Sequence, residues 1–149
     1  MSAITEAAAP TGRERRIAPL NAACFGCGPD NRSGLRLEFR ALRDGVAAEW
    51  TPTQAWQSFE GVVHGGVIAT ALDEAMSKAI VARGWEAFTA ELRVRYRRQV
   101  APGEHVRVTG CVLHRQKRLI RAEAWLNTPS GEERARAWGT FLVPPGASN

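Results

Sequence analysis

Residues 64–74 read HGGVIATALDE, a His-Gly-Gly turn that runs directly into an apolar segment. Apolar side chains then recur at helical spacing, on a stripe made of Ile68, Leu72, Ala75, Met76 and Ala79. No proline interrupts residues 65–83, and Arg83-Gly84 is a typical helix stop. The sequence therefore predicts one long helix here that is buried on most sides.

The start of this helix has the features of a binding site for a negative charge. Glycine lets the backbone approach a ligand closely, and the first amides of a helix have no internal acceptor. The N–H groups of Gly65 and Gly66 could therefore hold a developing oxyanion. A second, more polar line along the helix contains Thr70, Asp73 and Ser77. Because a carboxylate in an apolar helix is costly without a partner or a function, the pattern predicts an acyl-transfer site with Asp73 as base.

The charged residues near Asp73, and Asp73 itself, can also be interpreted as structural. Glu74 has Lys78 four residues on, which predicts an exposed helical ion pair. Asp73 has no such counter-ion on its own helix, and the alternative is that it pairs with an arginine of a neighbouring strand. His64, beside the two glycines, is expected to position the turn rather than to act as a base.

Segments in which apolar and polar residues alternate predict the strands of a sheet. They are residues 35–40, 46–50, 90–97, 106–112, 120–126 and 135–143. Asp44-Gly45 is a hairpin signal, and Gly110 is predicted to form a bulge or bend. Two strands, one long helix and four strands with short connections favour an α+β fold with an antiparallel sheet packed on the helix.

Length and composition are those of one globular domain: 149 residues, 44% hydrophobic and 23% charged. Residues 1–20 are predicted to be a flexible arm, 21–145 the folded domain and 146–149 a tail. No apolar run is long enough for a signal peptide or a membrane helix, so we expect a cytoplasmic protein without a membrane partner.

The cysteines and the arginines each leave more than one interpretation. Cys24 and Cys27 have the spacing of half a zinc site, but Cys111 and the three histidines do not supply a second half, so no metal is predicted. The net charge of +5 fits a solvated strand face or a ligand that carries phosphates. No recognition motif supports a nucleic-acid partner. Trp125 and Trp138 are predicted on outer faces of the sheet.

Four stretches carry a resemblance to a known family: Cys24–Pro29 with Gly34-Leu35, Gly61–Gly66, Leu72–Ala75 and Thr89–Tyr96. Together they resemble the hotdog-fold acyl-CoA thioesterases, in particular the phenylacetate-pathway-like branch of the 4-hydroxybenzoyl-CoA thioesterase superfamily. The resemblance covers roughly residues 24–143. It implies a hotdog fold, in which an antiparallel sheet of five to six strands wraps around one long central helix.

The same resemblance implies roles for single residues. Asp73 would activate water or attack the thioester itself, an amide of Gly65 or Gly66 would polarise the carbonyl, and Thr89 would assist the water. Many relatives carry Asn where this chain has Ser58, and Gln57 or Gln54 could substitute for that second carbonyl contact. Arg97 and Arg98 are candidates for the coenzyme A phosphates.

The expected protein is an acyl-CoA thioesterase that needs no cofactor beyond the coenzyme A of its substrate. Gly66 and Asp73 are about 10 Å apart along one helix, so we expect a homodimer with composite sites, with a dimer of dimers left open. A hotdog module that binds acyl-CoA as a sensor or carrier without hydrolysing it is the alternative. A hydratase or dehydratase would need a His/Asp pattern that the sequence lacks.

Overall fold

A computed structural model describes residues 15–147. The elements are β1 (Arg40–Ala41), β2 (Val46–Trp50), a short 3-10 helix (Gln54–Trp56), α1 (Gly65–Ala82), β3 (Phe88–Tyr96), β4 (Val106–Gln116), β5 (Leu119–Asn127) and β6 (Glu133–Leu142). The predicted order of two strands, one long helix and four strands is confirmed. The stop signal is also confirmed, because α1 ends at Ala82 and Gly84 follows with a φ of +79°.

The six strands form one sheet in the order β1-β2-β4-β5-β6-β3, and every pair is antiparallel. The helix α1 packs on one face of this sheet and contacts β2 through β6. Its apolar stripe is buried as predicted, and Ile68, Leu72 and Met76 are at most 3% exposed. Within residues 15–147, β3 pairs only with β6, so its other edge is open.

Gly110 allows the sheet to approach the helix closely. A Cβ at this position would lie 2.5 Å from the carbonyl oxygen of Ala75 on α1. Gly110 sits in regular pairing with Val46 and Ala124, so the prediction of a bulge there is wrong. The register shift of β4 lies between Val112 and His114 instead. Glycine is required at position 110 because β4 lies so close to α1 there, and not because the strand is irregular.

The predicted strand over residues 35–40 is shorter than expected, because only Arg40–Ala41 joins the sheet. Burial still alternates, with Leu35 and Leu37 buried beside exposed neighbours. However, the N–H groups of Leu35 and Leu37 donate to the carbonyls of Phe25 and Gly26, at 2.8 and 3.0 Å. This extended segment is therefore hydrogen-bonded to a loop, and Arg36 has a φ of +52° that a regular strand does not accommodate.

The packed domain extends further towards the N-terminus than residue 21. Ile17 is 6% exposed, and its N–H donates to the carbonyl of Phe39 at 2.9 Å. Residues 1–14 of the predicted arm and residues 148–149 of the predicted tail lie outside the described residues. Within residues 15–147, no helix has the length and apolar character needed to cross a membrane. The cytoplasmic location stays a prediction.

Candidate active site

The N-terminus of α1 is capped by the side chain of His64. The Gly66 N–H donates to Nδ1 of His64 at 2.9 Å, so in the neutral ring Nε2 carries the proton. The N–H groups of Val67 and Ile68 donate to the His64 carbonyl at 3.0 and 3.2 Å. Within residues 15–147, Gly65 is therefore the first-turn residue whose N–H has no acceptor. Of the two predicted oxyanion donors, Gly66 is committed to His64 and Gly65 remains available.

Tyr96 at the end of β3 also contacts this turn, a contact that the sequence pattern does not predict. Its hydroxyl donates to the carbonyl oxygen of Gly65 at 2.6 Å. Burial raises the pKa of Tyr96, which keeps the hydroxyl protonated as a donor. The contact ties the first turn of α1 to the edge strand. An aromatic residue in an alternating strand carries no sequence signal for this contact.

Asp73 lies two turns into α1 and is only partly exposed. The hydroxyl of Thr89 on β3 donates to Asp73 Oδ1 at 2.7 Å. Burial raises the pKa of Asp73 above the ordinary range, the Glu74 charge adds to the increase, and the Thr89 hydrogen bond opposes it. No cation forms an ion pair with Asp73 among the described residues, so the alternative of an arginine partner finds no support there. An oriented carboxylate with a raised pKa is suited to general-base chemistry.

Ser58 and Gln57 hold the loop that leads to His64. The Ser58 N–H donates to the Val62 carbonyl at 2.8 Å, and its hydroxyl makes a longer contact of 3.4 Å to the same oxygen. Gln57 Oε1 accepts from the Gly61 N–H at 3.1 Å. Among the described residues, neither side chain bonds to Gly65 or Asp73. In this structure both therefore shape the turn, while their predicted contact with a substrate carbonyl remains a hypothesis.

The arginines at the end of β3 already have carboxylate partners. Arg97 Nε lies 2.9 Å from Glu133 Oε1, and Arg98 Nε lies 2.9 Å from Glu132 Oε1. Their side chains are 49% and 71% exposed, so they could exchange these partners for phosphate in solvent at little cost.

The sheet face opposite α1 carries both outward tryptophans, as predicted. The Arg136 guanidinium lies 5.2 Å from the Trp125 ring centroid and 5.1 Å from that of Trp138. The Arg136 Nε also donates to Glu123 Oε1 at 2.6 Å. Cation–π contacts and a charge-assisted hydrogen bond therefore join the side chains of this face to one another.

A second cluster of chemically active side chains lies beside the first. Cys24, Cys27 and Glu74 each offer a ligand atom, and these atoms lie within 4.8 Å of one another. Burial, together with the Glu74 carboxylate, raises the pKa of Cys27 to about 12. Glu74 and Lys78 form the predicted ion pair at 3.8 Å, but their side chains are 14% and 4% exposed. The expectation of an exposed pair is wrong, because the loop at residues 24–28 covers Glu74.

Comparisons with known proteins agree with this architecture. A family model described as "Thioesterase superfamily" matches residues 60–133. A solved thioesterase superfamily protein is 28% identical to this chain, with a TM-score of 0.79 over 90% of this chain and 69% of the other. A Bacillus halodurans protein solved with CoA is 29% identical, with a TM-score of 0.59 over 65% of this chain and 70% of the other.

A more distant structure shows likeness of fold alone. It is a Streptococcus mutans protein bound to acetyl CoA, with 19% identity and a TM-score of 0.68 over 72% of this chain and 88% of the other. The comparison with curated proteins found no match. The six-stranded antiparallel sheet and its long helix thus form the hotdog fold of these thioesterase-superfamily structures.

Proposed function

We propose that this chain is an acyl-CoA thioesterase of the thioesterase superfamily, in its phenylacetate-pathway-like branch. The observation that carries the proposal is the state of Asp73, which is partly buried, without a cation among the described residues, and oriented by the Thr89 hydroxyl at 2.7 Å. A carboxylate held in this way can accept a proton from water. The match to the superfamily model spans both residues.

In the proposed reaction, water attacks the carbonyl carbon of the thioester while Asp73 takes one of its protons. The Gly65 N–H, which has no acceptor among residues 15–147, stabilises the negative charge that develops on the carbonyl oxygen. The tetrahedral intermediate then collapses and the C–S bond breaks. The sulfur of coenzyme A takes the proton from Asp73, which leaves a free acid, coenzyme A and the original carboxylate.

Direct attack by Asp73 is the other role that the family resemblance allows. It would form a mixed anhydride between Asp73 and the acyl group, which water would then hydrolyse. A single turnover in heavy-oxygen water tests for this anhydride. Label incorporated into the Asp73 carboxylate marks an anhydride that water opens at the Asp73 carbon, whereas label in the product acid alone marks attack of water on the acyl carbon, as the general-base route requires.

His64 and Tyr96 are proposed to position the oxyanion donor rather than to react. His64 caps the helix through the Gly66 N–H, and Tyr96 binds the Gly65 carbonyl, so the peptide that joins Gly65 to Gly66, adjacent to the Gly65 N–H, is held from both sides. Thr89 is proposed to orient Asp73 and, through it, the attacking water. Ser58 and Gln57 are proposed second contacts to the carbonyl once the loop that they now hold adjusts to substrate.

The comparison with the Bacillus halodurans protein, which was solved with CoA, supports coenzyme A thioesters as the proposed substrate class. The phosphates of coenzyme A require cations, and Arg97 and Arg98 are proposed to supply them by exchange with Glu133 and Glu132. No cofactor is proposed beyond this coenzyme A moiety.

Each active site is proposed to need two chains. Gly65 and Asp73 are eight residues apart, which places them about 12 Å apart along the axis of α1. A single carbonyl group must lie close to both the oxyanion donor and the water held by the base. A twofold axis would bring the Gly65 amide of one chain to the Asp73 of another and generate two sites per homodimer.

A binding module that holds acyl-CoA without hydrolysing it remains the second candidate. The observation that favours it is the use of the Ser58 hydroxyl within its own loop, where it donates to the Val62 carbonyl at 3.4 Å. A site with one carbonyl donor instead of two would bind a thioester more readily than it would cleave it.

The test is hydrolysis of short, medium, long and aryl acyl-CoAs, followed by detection of the free thiol. Asp73→Asn keeps the shape of the side chain and removes the base, so we expect kcat to fall by about 100- to 10,000-fold while acyl-CoA binding survives. Asp44→Asn is the matched control, because Asp44 lies in the exposed turn before β2. Hydrolysis by Asp73→Asn at the wild-type rate would reject the assignment. Binding without hydrolysis by the wild-type chain would favour the second candidate.

A further inference from the structure

The loop that follows Cys24 closes over α1 and brings together three metal-binding side chains from distant parts of the chain. The sulfur of Cys24 lies 3.9 Å from both carboxylate oxygens of Glu74, fifty residues along the chain. The sulfur of Cys27 lies within 4.8 Å of these atoms. The sequence alone suggests only two ligands at this spacing, and the fold supplies the third.

Two glycines make this arrangement possible. A Cβ on Gly26 would lie 2.5 Å from Oε2 of Glu74, so any larger residue would require the Glu74 side chain to shift from its position beneath the loop. A Cβ on Gly28 would lie 2.4 Å from the backbone nitrogen of Cys24, and the Gly28 N–H donates to the Cys24 carbonyl at 2.8 Å. The loop is therefore a tight turn that keeps both sulfur atoms on the side of Glu74.

We propose that Cys24, Cys27 and Glu74 form a zinc site. Two thiolates and one carboxylate are ligands that Zn²⁺ accepts, and three protein ligands are typical of sites where zinc also binds an exchangeable fourth ligand. Tetrahedral zinc with its usual bond lengths holds S and O ligand atoms about 3.5 to 4 Å apart. The 3.9 Å separation of Cys24 from Glu74 already lies in this range.

The charge around the cluster is also suited to a divalent ion. Lys78 Nζ lies 3.8 Å from Glu74 Oε1 and 3.4 Å from the Ala18 carbonyl, and its side chain is 4% exposed. With both thiols protonated, the lysine and the glutamate neutralise each other. When zinc binds, each thiol releases its proton to solvent, so two protons are exchanged for one divalent cation. The buried group keeps a net charge of zero in both states, which avoids the cost of an uncompensated buried charge.

Bound zinc would join the loop to α1 directly beside Asp73. An ion that binds only the folded chain stabilises it by mass action. The proposal is independent of thioester hydrolysis, because its direct measurement is binding of the metal itself.

The experiment uses the full chain, stripped with a chelator and kept reduced with a phosphine. Zinc is added in competition with a chromophoric chelator, and cobalt is added separately as a spectroscopic substitute. We expect one zinc per chain, a thiolate-to-cobalt charge-transfer absorption in the near ultraviolet, and a Tm that rises with zinc concentration. A wild-type chain that binds no zinc under these conditions would overturn the proposal.

Variants identify the ligands. Changes around metal ligands cost roughly 10- to 100-fold in affinity, so loss of a ligand in Cys24→Ser, Cys27→Ser or Glu74→Gln should cost at least about 100-fold. Cys111→Ser is the matched control, since Cys111 is a buried cysteine on β4 outside the cluster. Wild-type affinity in Glu74→Gln, or an equal loss in Cys111→Ser, would contradict the assignment. Circular dichroism of each variant establishes that it is folded, and if a cysteine variant unfolds, Glu74→Gln alone decides.

Discussion

The pKa of Asp73 is subject to two opposing effects, burial of its carboxyl and the hydrogen bond from Thr89. Burial raises the pKa of the Asp73 carboxyl, and the hydrogen bond from the Thr89 hydroxyl lowers it. The first effect makes Asp73 a stronger base than an exposed carboxylate, and the second opposes that increase. A general base works best when its pKa lies closer to the working pH. Thr89 therefore tunes the base as well as orienting it.

The pH dependence of hydrolysis tests this role. Thr89→Val removes the bond that lowers the pKa, so a larger share of Asp73 is protonated at a given acidic pH. We expect the acid limb of the kcat profile to move to higher pH in Thr89→Val. Thr89→Ser retains the hydroxyl and should keep the limb near its wild-type position. A loss of activity in Thr89→Val that is equal at every pH would indicate a structural role only.

At the scale of elements, β3 is the strand that contacts both the proposed base, Asp73, and the helix turn that carries the proposed oxyanion donor. Thr89 near its start binds Asp73, and Tyr96 at its end binds the first turn of α1. The strand is also an edge of the sheet among the described residues, and Phe88 at its start is 71% exposed. An edge strand held by only one neighbour needs such side-chain contacts to keep its position against the helix.

Tyr96→Phe tests the second contact. Removing the hydroxyl deletes one hydrogen bond, which should lower the free energy of unfolding by about 1 kcal/mol in chemical denaturation. If the Gly65 amide loses about 1 kcal/mol of transition-state stabilisation through misalignment, kcat falls by about fivefold and KM changes little. A variant with reduced stability and unchanged kcat would show that Tyr96 supports the fold and not the oxyanion donor.

Helices and strands with a regular hydrophobic period were predictable from the sequence. Where the structure departs from the predicted element, the cause is a contact with residues distant in the chain. The 3.6-residue period predicts α1 with its stop at Arg83-Gly84, and the period of two predicts the long strands. The same alternation over residues 35–40 cannot reveal that the hydrogen-bond partners are loop carbonyls. In the same way, glycine at position 110 is compatible with either a bulge or a close helix contact.

The site was predictable to a similar degree. The apolar setting of Asp73 and the position of Gly65 identify the two ends of the proposed chemistry from local spacing. The commitment of Gly66 to His64, and the contact of Tyr96 with Gly65, depend on side-chain directions that spacing does not determine. In the sequence, Lys78 four residues on is a sufficient partner for Glu74. No feature of the neighbouring residues therefore predicts that Glu74 is buried beneath the loop at residues 24–28.

At the scale of the whole molecule, the separation of Gly65 from Asp73 makes a test of assembly possible. Gly65 is the first residue of α1, where proline is accepted, and His64 has φ −59° and ψ 131°, which suit a residue before proline. Gly65→Pro should therefore remove the oxyanion donor and leave the helix intact. Gly65→Pro thus removes the oxyanion donor alone, as Asp73→Ala removes the base alone.

Mixing these two inactive variants should restore activity. Each mixed dimer would contain one site with both an intact Gly65 and an intact Asp73, so the activity per mixed dimer should approach half that of the wild type. Subunit exchange is verified by native mass spectrometry of tagged chains. Verified mixed dimers that remain inactive would place both groups of each site on one chain.

The close contact between Gly110 and Ala75 limits which sequences this protein can tolerate. A methyl group at position 110 would meet backbone atoms of α1, and backbone cannot rotate aside as a side chain can. Relief would have to come from a displacement of the helix, and Asp73, two residues before Ala75, would move relative to Thr89. Natural selection for the proposed activity would then act on Gly110 almost as strictly as on Asp73, although the glycine has no reactive group and lies on β4 rather than on α1.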